Sequence, residues 1–532
     1  RPWRPRPDIG YSAAMRRRAL LASLLTAALV AQAAPGQPAE LPAIGEPAAL
    51  PKGAPPHLAR IDRLDLRRHA YWLADDARQG RYTGSAGQQA TVDYIVAHFK
   101  KLGLKPLGDK RSYVQTYPLS RTIIGSGTAL TFGEREIATG FALLPAKDAD
   151  DKVTVSGKFV WCGNGTGDDV TAGLAGRIPL VLLHGLRPGG GPGNDLQAVH
   201  RYEAIAKQLA HNGAGAAVVC LLEDASSMAN TLTYKAMLSD HPRLQNRRGQ
   251  GGAVVSIPLL VLPRELCLPL LEHVGITLDQ DGAPVTPPTK QDAAGKLTIC
   301  VEHDDKGTGS NVVAMLPGRS KKKEAVVISA HHDHIGFRLD GDAFNGADDN
   351  ASGTAGLLEI AEAFAKGGKR PARSIIFLSV SGEELGMWGS AWFADHSPWP
   401  LEDLVADVNI DMIGRAGGID DRIDLQVTPS HGHEKYSTIV RDGVALGAKF
   451  GIAFTSGDTY YRRSDHFSFA QKGIPVVFFC DGEHPDYHQV SDHPDKLDYA
   501  HMEAIARLAF WTGWLVAEAK GRPQELGARS DW

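Results

Sequence analysis

The sequence predicts an α/β protein, a mixed central β-sheet with helices on both faces, interrupted by an inserted β-rich unit. Three observations carry this expectation. After Ser310, apolar runs alternate with helical stretches, the order that winds a sheet between two helical layers. Between about Thr122 and Thr308 the texture changes to short β-like runs broken by glycine-rich turns. Polar clusters sit at or just past the ends of the apolar runs, at the sheet edge where α/β proteins build sites.

Taken in order, residues 1–34 read as upstream residues and a leader. Met15 opens a basic stretch, Arg16 to Arg18, followed by apolar Ala19 to Val30 and the small-residue pattern Ala31-Gln32-Ala33. This pattern, residues 15–33, is that of a secretory signal peptide, so the expected location is secreted or periplasmic. The run is too short to span roughly 30 Å of hydrocarbon, and no membrane span is expected in the mature chain. Residues 35–57, rich in Pro, Ala and Gly, are expected to be a linker.

From Leu58 to about Lys105, helical spacing recurs through Tyr71, Leu73 and Ala74, then through Ala90, Val92, Ile95, Val96 and Phe99. The stretch Arg81 to Gly87 breaks it into two helices. The insert is placed at 126–307, with one helix near Tyr202 to His211 and a glycine-rich turn at Gly189 to Gly193. The outer unit, 58–125 and 308–520, continues with the runs Ala325 to Ala330, Ser374 to Val380, Val405 to Ile413 and Ile474 to Cys480. Helices are expected over Thr354 to Lys366 and from about His501 to Lys520. The first of these puts Leu357, Leu358, Ile360, Ala361 and Phe364 on one side and stops at Gly367-Gly368, with Pro371 beyond.

Composition narrows the function. The 532 residues carry 57 Lys+Arg against 61 Asp+Glu, a net charge of −4, which argues against a polybasic nucleic-acid binder. The five cysteines, at 162, 220, 267, 300 and 480, form no Cys-x-x-Cys pair, so neither a thiolate zinc site nor a disulfide framework is expected. A His-Glu-x-x-His helix and a Gly-x-Ser-x-Gly elbow are both missing from the sequence.

The chemistry lies in five clusters: His331-His332-Asp333-His334, Asp348-Asp349, Glu383-Glu384, Asp411 and Asp486-Tyr487-His488. Each alone is a weak signal, and the Asp-Asp and Glu-Glu pairs read as surface turns. Their placement is what counts, because strand ends on one edge of an α/β sheet converge. Asp411, inside Val408-Asn409-Ile410-Asp411-Met412-Ile413, would be buried, and an unpaired buried carboxylate is costly. Two His and three carboxylates without Cys suit zinc or another divalent first-row metal. With one carboxylate shared, each of two ions about 3.5 to 4 Å apart keeps room for a water that attacks an amide or ester carbonyl.

Six motifs in order then carry a resemblance: Val327 to Gly336, Gly346 to Gly353, Ser381 to Gly386, Asn409 to Gly414, Arg463 to Phe467, and Asp486-Tyr487-His488. The chain resembles the secreted co-catalytic dizinc aminopeptidases, a family whose relatives include bacterial leucyl aminopeptidases, glutamate carboxypeptidases, glutaminyl cyclases and transferrin receptor. The resemblance implies a zinc exopeptidase fold and two Zn2+ ions per chain. His331 and Asp411 would bind one ion, Glu384 and His488 the other, and Asp349 would bridge them. It implies Glu383 as the general base that takes a proton from a zinc-bridging water, Asp333 as the acid that orients His331, and Tyr487 as a hydrogen-bond donor to the oxyanion. It also marks Asp349-Asn350 as a candidate cis peptide.

His332, His334 and His466 match no ligand position and are expected to wall the pocket or pack. Asp348 is expected to fix a loop. Arg462 and Arg463 could hold a substrate carboxylate, with solvation of a loop the favoured expectation. Gly157 to Trp161, Gly176 to Leu183, Ala206 to Val219 and Ile257 to Leu260 resemble a protease-associated (PA) domain; such an insert is expected either to restrict access to the site or contact extended peptides, or to serve as a structural or oligomerisation module. The expected activity is a metallo-aminopeptidase acting on peptide substrates. The alternatives are a carboxypeptidase or dipeptidase of the same family, a glutaminyl-cyclase-like transferase, and a non-catalytic receptor-like binding protein. Oligomeric state is not readable.

Overall fold

The computed structural model describes residues 44–530 except 56, 147–150, 171, 184–192, 223–242, 247–254, 281, 286–288, 291, 339–340 and 416–422. The expected signal peptide, positions 35–43 and 56 of the expected linker, and positions 189–192 of the glycine-rich turn lie outside the described residues. Among the described residues no helix is long and apolar enough to cross a membrane.

The sheet that positions the site has a parallel centre. Arg373–Val380, Lys321–His331, Leu404–Ile410 and Val476–Cys480 pair in that order, all parallel. Antiparallel partners extend it on both sides, through Ala294–Leu316 and Val114–Ile124 on one and Ile423–Thr428 on the other. The central strands are apolar on both faces, as a sheet covered on two sides requires. In Lys321–His331, Val326, Ile328 and Ala330 enter one core, while Ala325 and Val327 enter another. Arg373–Val380 alternates in the same way, Ile375 and Phe377 against Ile376, Leu378 and Val380.

Helices Arg63–Leu73, Ala86–Lys101, Gly353–Lys366 and Tyr499–Glu518 supply the first core through residues such as Leu66, Ile95, Leu357 and Phe510. The second is covered by Trp388–Asp395 and His466–Ala470, through Phe393 and Phe469. Local signals set the helix starts: Ser85 accepts from the Gln88 N–H, and Asp498 from those of Ala500 and His501. The C-cap of Gly353–Lys366 is Gly367, as the sequence implies.

Residues 129–300 contain two hydrophobic clusters of their own. Strands Lys152–Trp161, Ile178–Leu183, Ala217–Leu221 and Leu259–Leu262 run parallel in sequence order. The expected helix is present but starts earlier, at Gly193. A second helix, Arg264–Val274, was not expected. Pro269 reads as a breaker, yet Cys267, Leu270, Leu271 and Val274 bury one face, and the helix stops at left-handed Gly275. Strand Ala294–Leu316 passes from this region into the central sheet without a break, with a register shift between Asp304 and Gly307.

One buried pair makes stability depend on pH. Glu359 is 1% exposed, and its Oε1 lies 3.4 Å from His69 Nε2. Burial, reinforced by Asp65, pushes the Glu359 carboxyl up to about 8, and burial pushes His69 down to about 4. Between the ordinary glutamate value and 8 the folded chain therefore holds a proton that the unfolded chain has released, so this contribution shrinks as pH rises. Glu359→Gln removes the titration. Its melting temperature is expected to gain on that of the wild type from pH 5 to pH 8, as followed by thermal melts across that range.

Candidate metal centre

The four parallel strands end on one edge, and the candidate residues follow from that. His331 is the last residue of its strand and is in register with Val380. Glu383 and Glu384 come just after Val380, and Asp411 directly follows strand Leu404–Ile410. His488 lies on the loop beyond Val476–Cys480. Asp349 belongs to the turn that enters helix Gly353–Lys366, and its peptide bond to Asn350 is cis. That turn is pressed against the end of the neighbouring strand. The Asn350 amide donates to Ile410 O and its Oδ1 accepts from the N–H groups of Met412 and Gly353. A Cβ at Gly353 would collide with Asn350 Oδ1 and Ile410 O, so glycine is required there.

Two donor groups result, and they share Asp349. In one, His331 Nε2 lies 3.2 Å from Asp411 Oδ1 and 3.3 Å from Asp349 Oδ1. In the other, His488 Nε2 lies 3.0 Å from Asp349 Oδ2 and 3.2 Å from Glu384 Oε1, and His334 Nδ1 lies 2.7 Å from the same glutamate oxygen. Asp411, His331 and Asp333 are anchored by neighbouring groups. Ser464 Oγ donates to Asp411 Oδ2 at 2.8 Å, and Thr354 Oγ1 to the His331 carbonyl at 2.7 Å. Asp333 Oδ2 accepts from Thr83 Oγ1 at 3.0 Å and its Oδ1 from the Glu383 N–H at 3.3 Å. The nearest partner of His331 Nδ1 is the Asp333 backbone carbonyl at 3.2 Å, with the Asp333 carboxylate at 3.6 Å.

The electrostatics fit a bound cation. Burial pushes Glu383 well above the usual carboxylate range, and the charges of Asp465, Asp411 and Glu384 add to the effect. Burial likewise raises Asp411, and lifts Asp465 to about 7. Burial and Glu384 oppose charge on Asp349, but hydrogen bonds from His331 and His488 hold it below the usual range. Carboxylates crowded this way need positive charge, and oxygen and imidazole donors without thiolate are the set that zinc accepts.

Beside these groups is a cavity of about 40 Å³. Asp349, Glu383 and Asp411 line it together with Met412, Phe478 and Tyr487. Tyr487 stacks on His488, ring centroids 3.8 Å apart.

Three residues add to the sequence-based expectations. His334, expected to wall the pocket or pack, lies with the second donor group, its Nδ1 2.7 Å from Glu384 Oε1. Arg463, expected to solvate a loop, lines the cavity, paired with Glu483 at 2.7 Å, while Arg462 lies over the Phe467 ring. Asp465, unremarked in the sequence, is fully buried near the carboxylates. Other expectations match their surroundings. His332 bonds Gln88 and Ser379, His466 stacks on Phe478, and Asp348 fixes its loop through the Gly414 N–H at 2.7 Å and His484 at 3.2 Å.

Comparison with known proteins agrees with this geometry. The profile of peptidase family M28 matches residues 311–512. A protein of Pyricularia oryzae described as a probable zinc metalloprotease is 28% identical over 256 residues, covering 40% of this chain and 50% of that protein. One of Arthroderma benhamiae, described as a probable leucine aminopeptidase, is 31% identical over 237 residues, 42% of this chain and 62% of that protein. The chain thus spans about half to three-fifths of the length of these curated relatives. In fold it is similar to a zinc aminopeptidase from Bacillus subtilis, with a TM-score of 0.56 and 20% identity over 86% of this chain and 96% of the other. Residues 311–512 of the chain are thus similar to peptidase family M28.

Proposed function

We propose that the protein is a secreted zinc aminopeptidase that removes N-terminal residues from peptides. The observation that carries this reading is the pair of donor groups sharing Asp349 at the mouth of a cavity that Glu383 also faces. His331 and Asp411 would hold one zinc, Glu384 and His488 the other with His334 beside them, and Asp349 would serve both. Bound there, a zinc pair supplies a Lewis acid for the scissile carbonyl and lowers the pKa of the attacking water.

The chain's own residues do the rest. Glu383 faces the cavity but stands outside both donor groups, so its carboxylate is free to take the proton of the attacking water and hand it to the leaving amine. Tyr487, which lines the same cavity, is available to donate to the developing oxyanion. Asp333, tied to both Thr83 and the Glu383 N–H, steadies the His331 loop against the base. Met412 and Phe478 give the cavity an apolar wall suited to an uncharged terminal side chain. Residues 126–307, which contain hydrophobic clusters of their own, would form the PA-like module over this opening.

The test is hydrolysis of aminoacyl-nitroanilides against N-blocked peptides with a free C-terminus, each with and without chelator. Chelator-sensitive cleavage of the first class alone is expected. Cleavage of the second class alone would favour a carboxypeptidase, with Arg463 as the carboxylate anchor. Metal-free protein without turnover would favour a binding module.

A further inference from the structure

The turn that carries Asp349 is held from two sides by buried side chains of opposite charge. Arg81 has no exposed surface. Its Nε donates to the His332 carbonyl at 2.9 Å, Nη1 to those of Leu73 and Asn345 at 2.8 and 2.6 Å, and Nη2 to that of Gly346 at 2.8 Å. One guanidinium thus ties the strand end bearing His331 to the start of the Asp349 turn. Its approach depends on Gly80, where a Cβ would collide with the Gly336 backbone.

From the other side, Asp492 has no exposed surface either. Its Oδ2 accepts from the N–H groups of Asp348 at 2.9 Å and Asp349 at 3.3 Å, and its backbone carbonyl accepts from Ala347 at 3.1 Å. Asn345 to Asp349 therefore places two carbonyls on a cation and three N–H groups on Asp492. Removing either partner strands buried backbone groups, which is costly, and the turn would move to recover them.

We propose that Arg81 and Asp492 are positioning residues for the metal centre, fixing Asp349 so that its two oxygens face His331 and His488 at once. The inference rests on the zinc reading above. A shared carboxylate tolerates little displacement, because any rotation that favours one donor group withdraws an oxygen from the other. Arginine is required on the carbonyl side, since the point charge of lysine cannot reach four carbonyls from one fork.

The test compares wild type, R81K, D492A and D492N, measuring zinc affinity of the folded apoprotein by competition with a chromogenic chelator and, separately, apoprotein melting. D492A and R81K are expected to bind zinc about 10- to 100-fold more weakly. D492N is expected to recover most of the loss, because its amide oxygen can accept the same two N–H bonds, while Arg415 keeps its Asp486 partner. A purely structural role would lower the apoprotein melting temperature and leave the affinity of folded protein unchanged. Folded D492A and R81K with wild-type affinity overturn the inference. If R81K does not fold, the D492A and D492N comparison decides alone. A wild type that takes up no zinc overturns the metal reading itself.

Discussion

Glu383→Gln is expected to lower kcat by about 10²- to 10⁴-fold, the usual contribution of a positioned general base, while zinc content and KM stay near their wild-type values. Glutamine keeps the shape of the side chain and can still face the cavity, but it cannot accept the proton of the attacking water. The backbone anchor, from the Glu383 N–H to Asp333, is unaffected by the change. Since Glu383 belongs to neither donor group, its loss should not release metal. Steady-state kinetics on an aminoacyl-nitroanilide, with zinc measured on the same preparation, check this. Activity within tenfold of wild type, with full zinc, would remove Glu383 from the role of base.

Asp349→Ala is expected to abolish measurable turnover and to lose zinc that the wild type retains through the same desalting step. It differs from every other single change in the centre because both donor groups lose an oxygen together. The first is left with His331 and Asp411, the second with His334, Glu384 and His488. Asp411→Ala should by contrast spare the second group. Asp348→Asn is the control, as this neighbour spends its carboxylate on the Gly414 N–H and His484. Zinc per chain across the three variants separates loss of a shared ligand from general damage to the turn.

The parts of this centre that were legible in the sequence are those dictated by topology. The parallel strands end on one edge of the sheet, so His331, Glu384 and Asp411, which lie at or just past strand ends, are brought together once the strands are neighbours. Loop geometry was not legible. Whether His334 points back to its own cluster depends on the loop after the strand, and periodicity says nothing about that. Arg81 was hidden for another reason: it sits in what reads as a break between helices, 251 positions from the His332 carbonyl it bonds. Helix Arg264–Val274 forms despite its internal proline because its apolar face is buried.

Diffraction from zinc-loaded crystals on either side of the zinc absorption edge tests the central claim most directly. Two anomalous peaks are expected per chain, one against His331 and Asp411, the other against Glu384 and His488, with a separate Asp349 oxygen touching each. A single peak, or peaks that do not contact Asp349, would contradict it.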